Sequence, residues 1–134
     1  MSVIVYSCEF YLNGRSKTFN GIDYIHNYVG KTKLQELYTI LANCVVYIGP
    51  DSGTLHIASM LNKPVIGLYV TSNPNRTGPY LNKQYTINKY PQALKLFENK
   101  CEDNVKWGYR VRNKKAMSLI KIEEVINMIR TILS

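Results

Sequence analysis

The stretch from Cys44 to Val70 constrains the fold more than any other part of the chain. "CVVYI" is a short, wholly apolar run. "SGTLHIASMLN" then places Leu55, Ile57, Ala58 and Leu61 on one side of a helix, and "PVIGLYV" opens a second apolar run at Pro64. Apolar runs without polar alternation suit strands covered on both faces, which is the habit of parallel sheets. Two such strands joined by one helix through short links make a parallel crossover unit.

The flanking sequence extends the same pattern. "SVIVYS" reads as a buried strand near the N-terminus, and "YIHNYVG" as a second short one. In "TKLQELYTILAN", Leu34, Leu37, Ile40 and Leu41 mark one face of an amphipathic helix, with Thr32 as its cap and Glu36 near the positive end of its dipole. "TSNPNRTGPY" (71–80) is built from turn residues and reads as an irregular loop, and "YTIN" as a weak strand. Residues up to about 118 have no clear assignment. The closing "KIEEVINMIRTIL" carries Ile122, Val125, Ile126, Ile129 and Ile132 or Leu133 as a helical stripe. The expected class is therefore α/β: one domain over residues 1–134, a parallel sheet flanked by helices.

Composition removes several functional classes. No apolar run approaches the ~20 residues of a membrane-spanning helix, and the N-terminus lacks the layout of a signal peptide, so a cytoplasmic location is expected. Cys8, Cys44 and Cys101 are widely spaced with no CxxC, indicating neither a disulfide framework nor a zinc site. Cys44 is expected in a core strand. The net charge of +8 is spread along the chain. Its one dense cluster, "RVRNKK" (110–115), lacks the interleaved aromatics of a single-strand binder, so nucleic acid is not expected as a partner. A solvated basic face, or a favourable field for phosphate-bearing ligands, accounts for the excess.

In a parallel sheet, ligands sit beyond the carboxyl ends of the strands. "GPDSG" and "TSNPNRTGPY" both follow strands directly, so both loops should open on the same rim. A helix starting near Ser52 or Gly53 offers first-turn N–H groups without intrahelical partners, and Gly53 permits close approach of an anion. Ser52, Thr54 and His56 could add donors, and Asp51 is an acceptor suited to sugar hydroxyls. The same residues also read as an ordinary N-cap with a packed or solvated histidine, and the local pattern leaves both readings open. Ser52 is fourth rather than third in "GPDSG", so this is not a serine-hydrolase elbow. Asp51 and His56 are five apart, not the i, i+4 of a helical metal pair, and no G-K-[ST] follows the strand.

The segments "GKTKLQELYTILANC" (30–44), "IGPDSGTLHIAS" (48–59), "NKPVIGLY" (62–69) and "NPNRTGPY" (73–80) together resemble, in order and content, the signature region of the glycosyltransferase family 9 heptosyltransferases. "IKIEEVINMI" is similar to that family's closing helix. Residues 28–134 are covered and residues 1–27 match poorly. The resemblance implies the C-terminal, donor-binding half of a GT-B enzyme, whose two Rossmann-like domains face across a cleft. It implies an inverting transfer of heptose from ADP-heptose or a similar nucleotide-sugar to a lipopolysaccharide-core acceptor, at the inner face of the inner membrane and without a metal or other cofactor. Asp51 would then hold sugar hydroxyls, and Ser52, Gly53 and Thr54 would cradle the diphosphate with His56 assisting. Lys31 and Thr32 would approach the nucleotide, and Arg76, Thr77 and Gly78 would form a loop at the cleft. The acceptor side and the general base are expected outside this chain, since Glu9 and Asp23 fall in no matching motif. Alone, the chain is expected not to be a competent transferase. A second reading is a non-catalytic α/β domain that self-associates or pairs with another chain.

Overall fold

The computed structural model describes residues 3–5, 28 and 30–134. The turns at 13–14 and 20–21 and most of the expected strand at 24–30 lie outside the described residues; of that strand, Tyr28 and Gly30 are described and neither is in a strand. Among the described residues four strands, β1 (Val3–Val5), β2 (Val46–Pro50), β3 (Val65–Tyr69) and β4 (Thr86–Asn88), form one sheet in the order β1-β2-β3-β4. Every neighbouring pair is parallel: Val3 aligns with Val46, Tyr47 with Val65, and Gly67 with Thr86. The chain therefore has the expected α/β architecture, a parallel sheet flanked by helices.

Alternation along β2 and β3 sorts the core into two layers. Tyr47, Val65 and Tyr69 point to one face and meet Leu41, Leu55 and Ala58 from helices α1 (Leu34–Ala42) and α2 (Gly53–Met60). Val46, Ile48 and Ile66 point to the other, where helix α5 (Ile122–Leu133) packs through Val125, Met128, Ile129 and Ile132. Burying side chains of this size stabilises the fold by roughly 1.5–3 kcal/mol each. Gly67 shares the first face. A Cβ there would meet the Tyr69 ring at 2.8 Å, so its bareness is what lets that ring lie along the sheet.

Local departures from the sequence reading have identifiable causes. The N-cap of α1 is Lys33, not Thr32, because the Glu36 carboxylate reaches back to the Lys33 amide at 2.7 Å. Leu34 opens the first turn, ahead of the part of α1 that crosses α2, and is exposed; Leu37 and Leu41 make the packing. The half-buried stripe of α5 is Val125, Met128, Ile129 and Ile132, whereas Ile122, Ile126 and Leu133 flank it in solvent. Cys44 is buried but lies two residues ahead of β2, and burial pushes its thiol up. The unassigned region holds helix α4 (Tyr90–Glu98), which buries Tyr90, Ala93 and Leu94 against Val70, Val111 and Ala116. The loop at 71–80 contains one helical turn, α3 (Pro74–Thr77), capped by the Asn73 side chain at 2.9 Å from the Asn75 amide. Among the described residues no helix is long and apolar enough to cross a membrane.

Candidate functional site

β2 ends at Pro50, and Asp51 stands at the rim one residue before the cap of α2. The Ser52 hydroxyl accepts from the Leu55 amide at 3.4 Å and so closes the helix start. It is also hydrogen-bonded to Thr54 Oγ1 at 2.9 Å, which in turn meets the Tyr47 hydroxyl at 2.8 Å. Thr54 thus turns its hydroxyl towards the core and ties α2 to β2. Helix geometry leaves the Gly53 and Thr54 amides without an intrahelical acceptor. No atom lies within 4 Å of where a Gly53 Cβ would stand, so the approach to this helix end is open.

Asp51 gathers the rim. Its side chain is 11% exposed, and its Oδ2 accepts from Ser72 Oγ at 3.0 Å, Thr77 Oγ1 at 2.9 Å and the Arg110 guanidinium at 3.3 Å. His56 Nε2 faces the other oxygen, Oδ1, at 3.4 Å. Both loops deduced to share a rim therefore do so, joined through one carboxylate. The loop after β3 is fixed from beneath by the Tyr69 hydroxyl, which donates to the Thr77 carbonyl at 2.8 Å. Burial, followed by the nearby Asp51 charge, pushes the Tyr69 hydroxyl far above its ordinary range, so it remains a donor. Gly78 ends α3 with its amide 2.7 Å from the Pro74 carbonyl; a Cβ there would lie 2.3 Å from that same oxygen.

Of the residues expected at the site, Asp51, Ser52, Gly53, Thr54, His56, Thr77 and Gly78 fall in this cluster or directly beside it. The Arg76 guanidinium lies over Gly108, 3.3 Å from where a Cβ would sit. Lys31 and Thr32 are not among the residues bonded to Asp51; they line an open hollow of about 500 Å³ with Tyr28, Glu36, Thr39 and Ile40. The sequence reading missed Ser72, Tyr69 and Arg110. Ser72 had no signal beyond turn composition. Arg110 lies 59 positions from Asp51 and belongs to the cluster read as a solvated face.

One rim carboxylate satisfied by hydroxyls and a guanidinium, beside an open helix N-terminus at the end of a parallel strand, makes this rim the candidate ligand site of an α/β domain. The family profile of glycosyltransferase family 9 (heptosyltransferase) matches residues 14–106, and the chain belongs to that family. It is 34% identical over 104 residues to the lipopolysaccharide core heptosyltransferase OpsX of Haemophilus influenzae, an alignment covering 78% of this chain and 30% of the relative. It is 41% identical over 61 residues to lipooligosaccharide heptosyltransferase 2 of the same organism, covering 46% of this chain and 18% of the relative. Among solved structures, E. coli ADP-heptose lps heptosyltransferase II superposes with a TM-score of 0.63 at 22% identity, over 98% of this chain and 35% of that one. The last is a likeness of fold. The chain spans about a third of the length of these proteins.

Proposed function

We propose that this chain is the donor-binding part of a heptosyltransferase, taking ADP-heptose or a similar nucleotide-sugar for transfer to a lipopolysaccharide-type acceptor. The observation that carries the reading is the Asp51 cluster, a hydrogen-bonded carboxylate at the open N-terminus of α2. The family membership and the names of the relatives support this choice of ligand.

The residues divide the work. The free amides of Gly53 and Thr54, at the positive end of the α2 dipole, suit a diphosphate, and no side chain at position 53 obstructs it. Backbone donors held there would also stabilise the charge left on a departing diphosphate. His56 can exchange Asp51 for a phosphate oxygen. Oδ1 of Asp51, which faces His56, is the oxygen assigned to a sugar hydroxyl, since Oδ2 accepts from Ser72, Thr77 and Arg110. A carboxylate so engaged is placed to orient substrate, and the general base is assigned to another part of the cleft. No described residue is assigned that task.

The test is thermal unfolding of the chain with ADP or ADP-heptose. A rise in melting temperature, diminished in Asp51→Ala and His56→Ala, is expected. No rise at millimolar nucleotide, or the same rise in both variants, overturns the reading.

A further inference from the structure

Arg110 emerges from backbone held on both sides. The carbonyl of Tyr109 accepts from the buried Tyr90 hydroxyl at 2.8 Å, and the Tyr109 hydroxyl is bound by Glu98 and Lys100. On the other side, buried Val111 donates its amide to the Thr71 carbonyl at 2.9 Å. Thr71 precedes Ser72, itself a donor to Asp51, so this second anchor sets Arg110 at the rim. The backbone is fixed while the side chain is 52% exposed.

The bond Arg110 makes is loose. At 3.3 Å it is the longest of the three on Oδ2 and well beyond the 2.7–2.9 Å of a strong charge-assisted pair. Two hydroxyls already satisfy that oxygen, and a half-exposed ion pair of this kind is weak. A guanidinium has five N–H donors, and only one nitrogen faces Asp51. The arm can therefore leave at little cost and offer a flat fork to a phosphate. Asp51 does not depend on it, because Ser72 and Thr77 remain.

On the donor-domain reading above, we propose that Arg110 is a specificity residue for the diphosphate of the donor, resting on Asp51 in the free protein and exchanged onto the anion when the nucleotide binds. While it rests there it also offsets the Asp51 charge, which would otherwise repel an approaching diphosphate. The ligand class is a nucleoside diphosphate, and no covalent step is involved.

The test compares ADP, adenosine and inorganic pyrophosphate as ligands of the whole chain by ligand-detected NMR, with urea unfolding as a control. Arg110→Ala should weaken ADP and pyrophosphate about tenfold or more, leave adenosine and the urea midpoint unchanged, and be partly rescued by Arg110→Lys. Equal weakening of ADP and adenosine would make Arg110 a structural support, and unchanged ADP affinity would remove it from the site; either overturns the proposal. Pyrophosphate binding that depends on Arg110, without any gain from adenosine, would keep the Arg110 assignment and reject the nucleotide. No binding of ADP or pyrophosphate by the unaltered chain would reject both readings.

Discussion

Thr77 Oγ1 donates to Asp51 Oδ2 at 2.9 Å, joining two loops 26 positions apart in the chain. With Ser72 it holds the carboxylate in one orientation, its side chain mostly out of water. Thr77→Val keeps the shape and removes the donor from a charged acceptor. It should cost about 1.5–3 kcal/mol of stability, read as a lowered urea midpoint with unchanged slope. Thr77→Ser should restore most of it. A midpoint equal to the parent in Thr77→Val would mean that this bond does not order the rim.

Two glycines separate binding from folding. An added methyl at Gly78 would collide with the Pro74 carbonyl, forcing α3 apart and drawing Thr77 off Asp51. Gly78→Ala should therefore destabilise by roughly 1–3 kcal/mol, the usual cost of overpacking. At Gly53 the same methyl meets nothing within 4 Å. Gly53→Ala should keep or slightly raise the melting temperature, since it restricts the unfolded chain, and should reduce the rise produced by ADP. A Gly53→Ala protein with an undiminished ADP response would show that the anion does not approach this helix end.

What the sequence made legible follows the range of the interactions. The strands and α2 are set by apolar runs and a cap within a few residues, and the shared rim follows from strand direction alone. Helix α4 was also written locally, with Tyr90, Ala93, Leu94 and Phe97 at i, i+3, i+4 and i+7, but Pro91 reads as a break until it is placed in the first turn. The half-buried stripe of α5 could not be told from its flanks, because several isoleucines satisfy the same periodicity and the sheet decides which are covered. At the site, Asp51 and its helix stand out by spacing. Its partners Ser72 and Arg110 do not, because polar side chains carry no periodic signal and these contacts exist only once β3 and the 105–112 segment are docked.

Stability should fall on both sides of a neutral plateau. The Tyr109 hydroxyl holds the Glu98 carboxyl below its ordinary value of 4.5, and the Lys89 ammonium at 2.6 Å does the same for Glu124. Groups lowered in the folded state stabilise it above their ordinary pKa, and that contribution is lost as pH falls through about 4.5 and below. Glu124→Gln should flatten the acid limb of the melting profile. Tyr69 and Tyr90 are raised from 10, chiefly by burial, so their contribution is present below pH 10 and lost as pH rises beyond it. Tyr69→Phe should lower the melting temperature at pH 7, where it loses the bond to Thr77, yet show a shallower decline between about pH 10 and 11. An alkaline limb as steep as the parent's would place the sensitivity elsewhere.

The anchor beneath Arg110 can be removed without touching the rim. Tyr90→Phe keeps the ring in its pocket and deletes only the hydroxyl that donates to the Tyr109 carbonyl at 2.8 Å. The part-buried Tyr109 carbonyl loses this partner, so a stability loss of about 1 kcal/mol is expected. The functional consequence differs in kind. With Arg110 no longer held at a fixed distance from Asp51, ADP should bind a few-fold more weakly while adenosine does not change. Arg110→Ala combined with Tyr90→Phe should then weaken ADP no further than Arg110→Ala alone, because both act through the same guanidinium. Additive losses in the double variant would show that Tyr90 acts on the site by another route.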